Sequence, residues 1–166
     1  MKKISSLRTN EEITEIYHRN VNTVFGISML YLKNKADAED MVQNVFYKFV
    51  DVCPSFNDKS HEKGWFVTVT KNMCKNALKA PWNSKRGEPD NIELIAYNEK
   101  FNEGSSLINA IKELSEKYKT VIYLYYYEEY TTKDIAAILN EKEGTVRAWL
   151  SRGRDKLRIK IGGDGE

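Results

Sequence analysis

In segment after segment of this chain the apolar residues return every three or four positions, and no segment alternates them convincingly at every second position. That spacing belongs to amphipathic helices, so it predicts an all-α chain. Residues 11–32 place Ile13, Ile16, Tyr17, Val21, Val24, Phe25 and Ile27 at helical spacing. Residues 37–51 align Ala38, Met41, Val42, Val45, Phe46, Phe49 and Val50 on one face, and Pro54 stops that helix. Residues 62–79 repeat the pattern with Trp65, Phe66, Val69, Met73, Ala77 and Leu78 until Pro81. In the C-terminal part, Ser105 or Ser106 caps a helix through Leu114, and Ser115 caps the next, with Tyr118, Val121, Ile122, Leu124 and Tyr125. The run Val121 to Tyr127 is rich in strand formers. It has no second strand to pair with, so a helix is expected there too.

Between these helical stretches, residues 82–104 hold Gly87, Pro89, Gly104, four asparagines and five acidic residues, with little periodicity. They read as a linker, with room for a short helix at 92–99. The predicted organisation is therefore a helical domain over 1–81, a linker over 82–104 and a second helical domain over 105–166. A length of 166 residues and a hydrophobic fraction of 41% suit two small folded units.

The sharpest local signal lies between Tyr130 and Leu157. Thr131 and Asp134 have capping-box spacing, and Ile135, Ala136, Ile138 and Leu139 form a short apolar face. Asn140-Glu141-Lys142 interrupts it, and a second helix starts at Glu143 with Val146, Trp149, Leu150 and Leu157 inward. Two short helices, a tight turn and the small residue Ala136 at the contact are what a helix-turn-helix needs. The net charge is only +2, so affinity for nucleic acid has to come from segregated charge. Lys142 to Lys160 supplies it, with seven basic residues against two acidic. Arg147, Arg152 and Arg154 lie off the apolar stripe, and arginine can grip guanine edges or phosphates. The plainer alternative is a solvated basic helix end.

The N-terminal domain carries two faces of opposite sign. Asp37, Asp40, Gln43, Asn44, Tyr47 and Asp51 make an outward, acidic stripe at three- and four-residue spacing. A metal site at Asp37, Glu39 and Asp40 is disfavoured, because neighbouring acids on a helix point different ways. From Lys59 to Arg86 there are seven basic residues and one Glu. Lys63, Lys71, Lys75 and Lys79 recur at multiples of four, with Trp65, Phe66, Asn72 and Asn76 among them. Cations along a track with aromatic and amide groups nearby suit melted or single-stranded DNA; the plainer alternative is that Trp65 and Phe66 are simply core, and at least one of them is expected there.

Taken in order, these motifs resemble the extracytoplasmic-function (ECF) group of bacterial sigma factors. Asp37-Ala38-Glu39-Asp40-Met41-Val42-Gln43-Asn44-Val45-Phe46 resembles the region-two signature. Trp65-Phe66-Val67-Thr68-Val69-Thr70-Lys71-Asn72 is similar to the promoter-melting helix. Glu143-Gly144-Thr145-Val146-Arg147-Ala148-Trp149-Leu150-Ser151-Arg152-Gly153-Arg154 resembles the region-four recognition helix. The resemblance implies that Asp37, Asp40, Gln43, Asn44 and Tyr47 dock on the clamp helices of the largest subunit of core RNA polymerase. The family usually has Glu where Asn44 stands. It implies that Phe56, Lys63, Trp65, Lys71, Asn72, Lys75, Asn76 and Lys79 engage the minus-ten element, with the loop Cys53 to Lys63 holding a flipped base. The family often has Asp where Asn76 stands. Thr145, Arg147, Ala148, Ser151, Arg152 and Arg154 are assigned to the minus-thirty-five element. The flap of the second-largest polymerase subunit, promoter DNA and an anti-sigma factor complete the implied partners, and the linker threads toward the RNA exit path.

Other classes fit less well. A stand-alone helix-turn-helix regulator is the main alternative, and it leaves the acidic stripe and the Lys/Trp/Asn helix unexplained. A pure interaction module, such as an anti-sigma protein, has no need of DNA-reading arginines. No nucleophile elbow, P-loop or dinucleotide turn is present, so no enzyme and no cofactor are expected. Cys53 and Cys74 form no CxxC pair and, with His18 and His61, make a weak ligand set, so no metal is expected. The absence of an export signal or long apolar run predicts a cytoplasmic protein with no membrane span.

Overall fold

The computed structural model describes residues 8–32, 34–79 and 106–165. The expected linker, its short helix and Pro81 lie outside them. The chain divides into two compact units, Met1–Asp90 and Asn91–Glu166. Both are helical, and the described residues contain no strand. No described helix is long and apolar enough to cross a membrane.

The first unit is a bundle of α1 (Asn10–Tyr31), α2 (Lys35–Val52) and α3 (Lys59–Lys79), with α1 packed against both others. Its first helix opens on a complete capping box. The Thr9 hydroxyl accepts from the Glu12 amide at 3.1 Å and the Glu12 carboxylate accepts from the Thr9 amide at 3.0 Å. Asn34 caps α2, its Oδ1 accepting from the Asp37 amide at 2.8 Å. Cys53 ends α2 in a left-handed conformation, φ 51°. The core joins Val24, Phe25, Ile27 and Met29 of α1 with Ala38, Val45 and Phe49 of α2 and Phe66, Val67 and Cys74 of α3.

Several inward assignments are corrected. Val50 is 48% exposed and Leu78 41% exposed, while Val67, Thr70 and Cys74 take the buried positions on α3. Tyr17 is also at the surface, its ring 4.8 Å from that of Phe46. On α3 the buried stripe is rotated by part of a turn from the expected one, which 3.6-residue spacing permits when apolar residues flank the true stripe, whereas on α2 only Val50, at the edge of the expected face, lies outside it.

The second unit contains α4 (Ser106–Lys112), α5 (Glu116–Ile122), a π-helical stretch over Tyr123–Tyr127, α6 (Thr132–Leu139) and α7 (Glu143–Gly165). The strand-prone run is thus helical as expected, but it is wound wider, with the Glu128 amide reaching back to the Tyr123 carbonyl at 3.2 Å. Ser115 stands at the N-cap of α5, yet its side chain makes no capping bond. The long α7 packs on α4, α5 and α6. At Gly153 it packs tightly on α5: a Cβ there would lie 3.2 Å from Ile122 Cγ1. At the turn after α6, Asn140 adopts the left-handed conformation, φ 57°, which asparagine tolerates better than most residues. Thr131 caps α6 by accepting from the Asp134 amide at 3.1 Å.

Candidate nucleic-acid interface

On α7 the buried line runs through Val146, Leu150, Gly153 and Leu157. Ser151 and Arg152 are exposed and Ala148 half-exposed on the opposite side. Arg147 and Arg154 are exposed too, but lie seven residues apart and so share one flank. Arg147 is held near the start of the helix by Glu143, at 3.0 Å. The same carboxylate oxygen of Glu143 accepts from the Thr132 hydroxyl of α6 at 2.7 Å. The Thr132 hydrogen bond, reinforced by Arg147 and Lys133, holds the Glu143 carboxyl below its ordinary range. Arg154 turns toward its own unit, Nη1 donating to the Tyr126 hydroxyl at 3.2 Å. Together they flank an apolar cavity of about 510 Å³ that Leu107, Ile111, Ile122 and Leu157 help to line. Thr145 is half-buried, and so is Trp149, expected inward, with Lys117 Nζ 5.5 Å over its ring.

In the first unit α2 presents Asp40, Gln43, Asn44, Tyr47 and Asp51 to solvent, opposite Ala38, Met41, Val42, Val45 and Phe49. Tyr47 is 70% exposed, unusual for so large a ring. Asp37, in the first turn, is half-buried.

The basic stripe of α3 is corrected at its first member. Lys63 is 7% exposed, and its ammonium donates inward to the Arg19 carbonyl at 2.8 Å and the Thr23 hydroxyl at 3.0 Å. The geometric reason is the helical pitch: each step of four residues advances about 40°, so positions 63 and 79 differ by roughly 160° and cannot share a face. Lys71 and Lys75 are half-buried, and Asn72, Asn76 and Lys79 are exposed.

Next to Lys63 lies a buried polar group that periodicity did not reveal. Glu62 receives Arg19 Nε at 3.0 Å, Arg19 Nη2 at 2.9 Å and Asn20 Nδ2 at 2.7 Å. Burial alone would push the Glu62 carboxyl up. The hydrogen bonds from Arg19 and Asn20, with the charges of Arg19 and Lys63, outweigh burial and hold it below the ordinary carboxylate range.

The α2–α3 loop is shorter than expected, because α3 begins at Lys59. Phe56 sits in it half-buried, its ring parallel to Phe49 at 6.4 Å and tilted to Trp65 at 6.2 Å. Phe66 is fully buried and Trp65 half-buried, so the pair divides between core and surface. Arg8 also reaches this cluster, its guanidinium carbon 5.0 Å from the Phe49 centroid and 5.4 Å from that of Phe56. No spacing in the sequence links residue 8 to residues 49–56.

Comparison with known proteins gives the same order of parts. Residues 16–83 match the family model described as Sigma-70 region 2, and residues 105–157 that described as Sigma-70, region 4. The RNA polymerase sigma factor SigV of Bacillus subtilis is 26% identical, over 82% of this chain and 83% of that protein. The ECF RNA polymerase sigma-E factor of Haemophilus influenzae is 28% identical, over 86% of this chain and 84% of that one. In fold, the chain is similar to the sigma factor RpoE of Bartonella quintana, solved with the anti-sigma factor NepR. The TM-score is 0.66 at 19% identity, covering 92% of this chain and 98% of that one.

Proposed function

The chain belongs to the sigma-70 family of RNA polymerase sigma factors and directs transcription initiation, and on that premise we propose how its faces divide the work. Core RNA polymerase is bound through α2, by Asp40, Gln43, Asn44 and Tyr47 with Asp37 beside them. The minus-ten element is engaged as it melts by α3 and the loop before it, through Phe56, Trp65, Lys71, Asn72, Lys75, Asn76 and Lys79. The minus-thirty-five element is read by α7 through Arg147, Ala148, Ser151 and Arg152, flanked by Thr145. Residues 1–81 and 105–166 form the two working domains, with 82–104 as the link between them. The factor works in the cytoplasm as a non-catalytic subunit.

The observation that carries this reading is the pairing of both sigma-70 regions in one chain, in order, each with an outward polar face. A stand-alone regulator needs only the second, so that reading is not favoured. Lys63 is left out of the DNA contacts, because its ammonium is used inside the bundle. Arg154 is assigned to phosphate or to the flap of the second-largest polymerase subunit, since it points to the cavity beside Tyr126.

Transcription in vitro with core polymerase and a genomic fragment library tests the whole assignment. Run-off products that depend on this chain are expected, and their absence with active core polymerase would refute it. On the promoter so found, Arg152→Ala is expected to weaken duplex binding by about 1–3 kcal/mol and to relax preference at one or two base pairs. Binding to core polymerase should not change. A loss equal on every sequence would limit Arg152 to phosphate contact.

A further inference from the structure

We propose that Arg8 is a positioning residue for promoter melting: it pins the loop Cys53–Asp58 so that Phe56 is held where an unpaired base is taken up. The inference rests on the reading of that loop as the base-capturing element. The Arg8 guanidinium makes four contacts with the loop and its support. Nη1 lies 3.7 Å from Cys53 Sγ, Nη2 donates to the Pro54 carbonyl, and the group lies against both Phe49 and Phe56. Cys53 is in the left-handed region, a conformation that a non-glycine residue keeps only where its surroundings enforce it. The Cys53 amide is tied back to the Phe49 carbonyl at 2.9 Å, and Arg8 touches this same residue, where α2 turns into the loop.

The far end of the loop is fixed separately. The Asn57 amide donates to His61 Nδ1 at 3.0 Å, and the His61 amide donates to Asp58 Oδ1 at 2.8 Å. Phe56 stands between these two anchors, packed on neighbouring rings and half-buried. A recognition site loses function when it is loose by even about 1 Å. The planar fork of arginine can bond a carbonyl and a sulfur while stacking on two rings, which the lysine ammonium cannot do in one geometry.

The test uses the full chain with core polymerase on a pre-melted minus-ten template, with 2-aminopurine or each natural base at successive positions. The wild type is expected to discriminate between bases at one position, and Phe56→Ala to lose that discrimination. Arg8→Ala is expected to reduce it roughly tenfold, the order of one desolvated cation–π contact. Arg8→Lys, which keeps the charge, should fall between. Association with core polymerase and binding to the minus-thirty-five duplex should stay as in the wild type, which separates positioning of the loop from a general loss of the fold. Wild-type discrimination in both Arg8 variants would overturn the inference and leave the loop reading intact. If neither the wild type nor Phe56→Ala discriminates at any position, the loop reading itself fails and takes the inference with it.

Discussion

Asp40→Ala combined with Gln43→Ala is expected to abolish transcription directed by this chain while leaving its fold intact. Both side chains are exposed on α2, opposite the buried Ala38, Met41, Val42 and Val45. Surface substitutions away from caps and cores usually change stability by no more than about 0.5 kcal/mol. Circular dichroism and thermal unfolding should therefore match the wild type. The face cannot serve DNA, because acidic groups repel phosphate, and its natural complement is a protein surface carrying arginines. Truncating one side of a desolvated, hydrogen-bonded charge pair costs about 2–5 kcal/mol in association. Titration of labelled factor with core polymerase should show a loss of that size. Binding of the full-length double variant to its minus-thirty-five duplex should be unchanged. Wild-type affinity for core polymerase in the double variant would remove α2 as the docking face.

Much of this was legible in the sequence because helices repeat their spacing. The outward positions of α2 follow from the apolar set Ala38, Met41, Val42 and Val45, which leaves Asp40, Gln43, Asn44 and Tyr47 on the other side. The turn between α6 and α7 was readable for a different reason: Thr131, Asp134 and Asn140 are residues whose side chains or backbone preferences mark helix ends. What spacing could not give was the fate of polar residues on a boundary. Lys63 and Lys79 belong to the same four-residue series, yet one is inside the bundle and the other in solvent. The difference depends on Arg19 and Thr23, which lie 44 and 40 positions from Lys63 and on another helix. Arg8 was invisible for the same reason, since its partners are 45 and 46 positions away. The π-helical winding at Tyr123–Tyr127 could not be read either, because strand-forming aromatics carry no local mark of a wider turn.

The residue whose burial was least legible carries the second large effect. Glu62→Ala is expected to destabilise the N-terminal unit by about 3 kcal/mol, the lower end for breaking a buried pair, because Arg19 can swing its head into water while Lys63 cannot. Glu62 is 6% exposed and holds Arg19 and Asn20 of α1 from α3. Its removal leaves the buried Lys63 ammonium on its two neutral acceptors, the Arg19 carbonyl and the Thr23 hydroxyl, without the neighbouring negative charge. The effect should depend on pH in a definite direction. The Glu62 carboxyl is held below its ordinary value in the folded chain, so the folded state favours its charged form. The stability it contributes is present above the unfolded value, near 4.5, and is lost as pH falls through the lower, folded value. Amide hydrogen exchange on α1 and α3 reports this unit alone, free of the C-terminal one. The protection gap between wild type and Glu62→Ala should be full at about pH 7 and should narrow below about pH 4, as other carboxylates titrate in both proteins and cancel. A gap that stays constant into acid would mean that Glu62 acts through shape and not through charge. Glu62→Gln would then behave as the wild type, and the ion pair would have no part in holding α1 to α3.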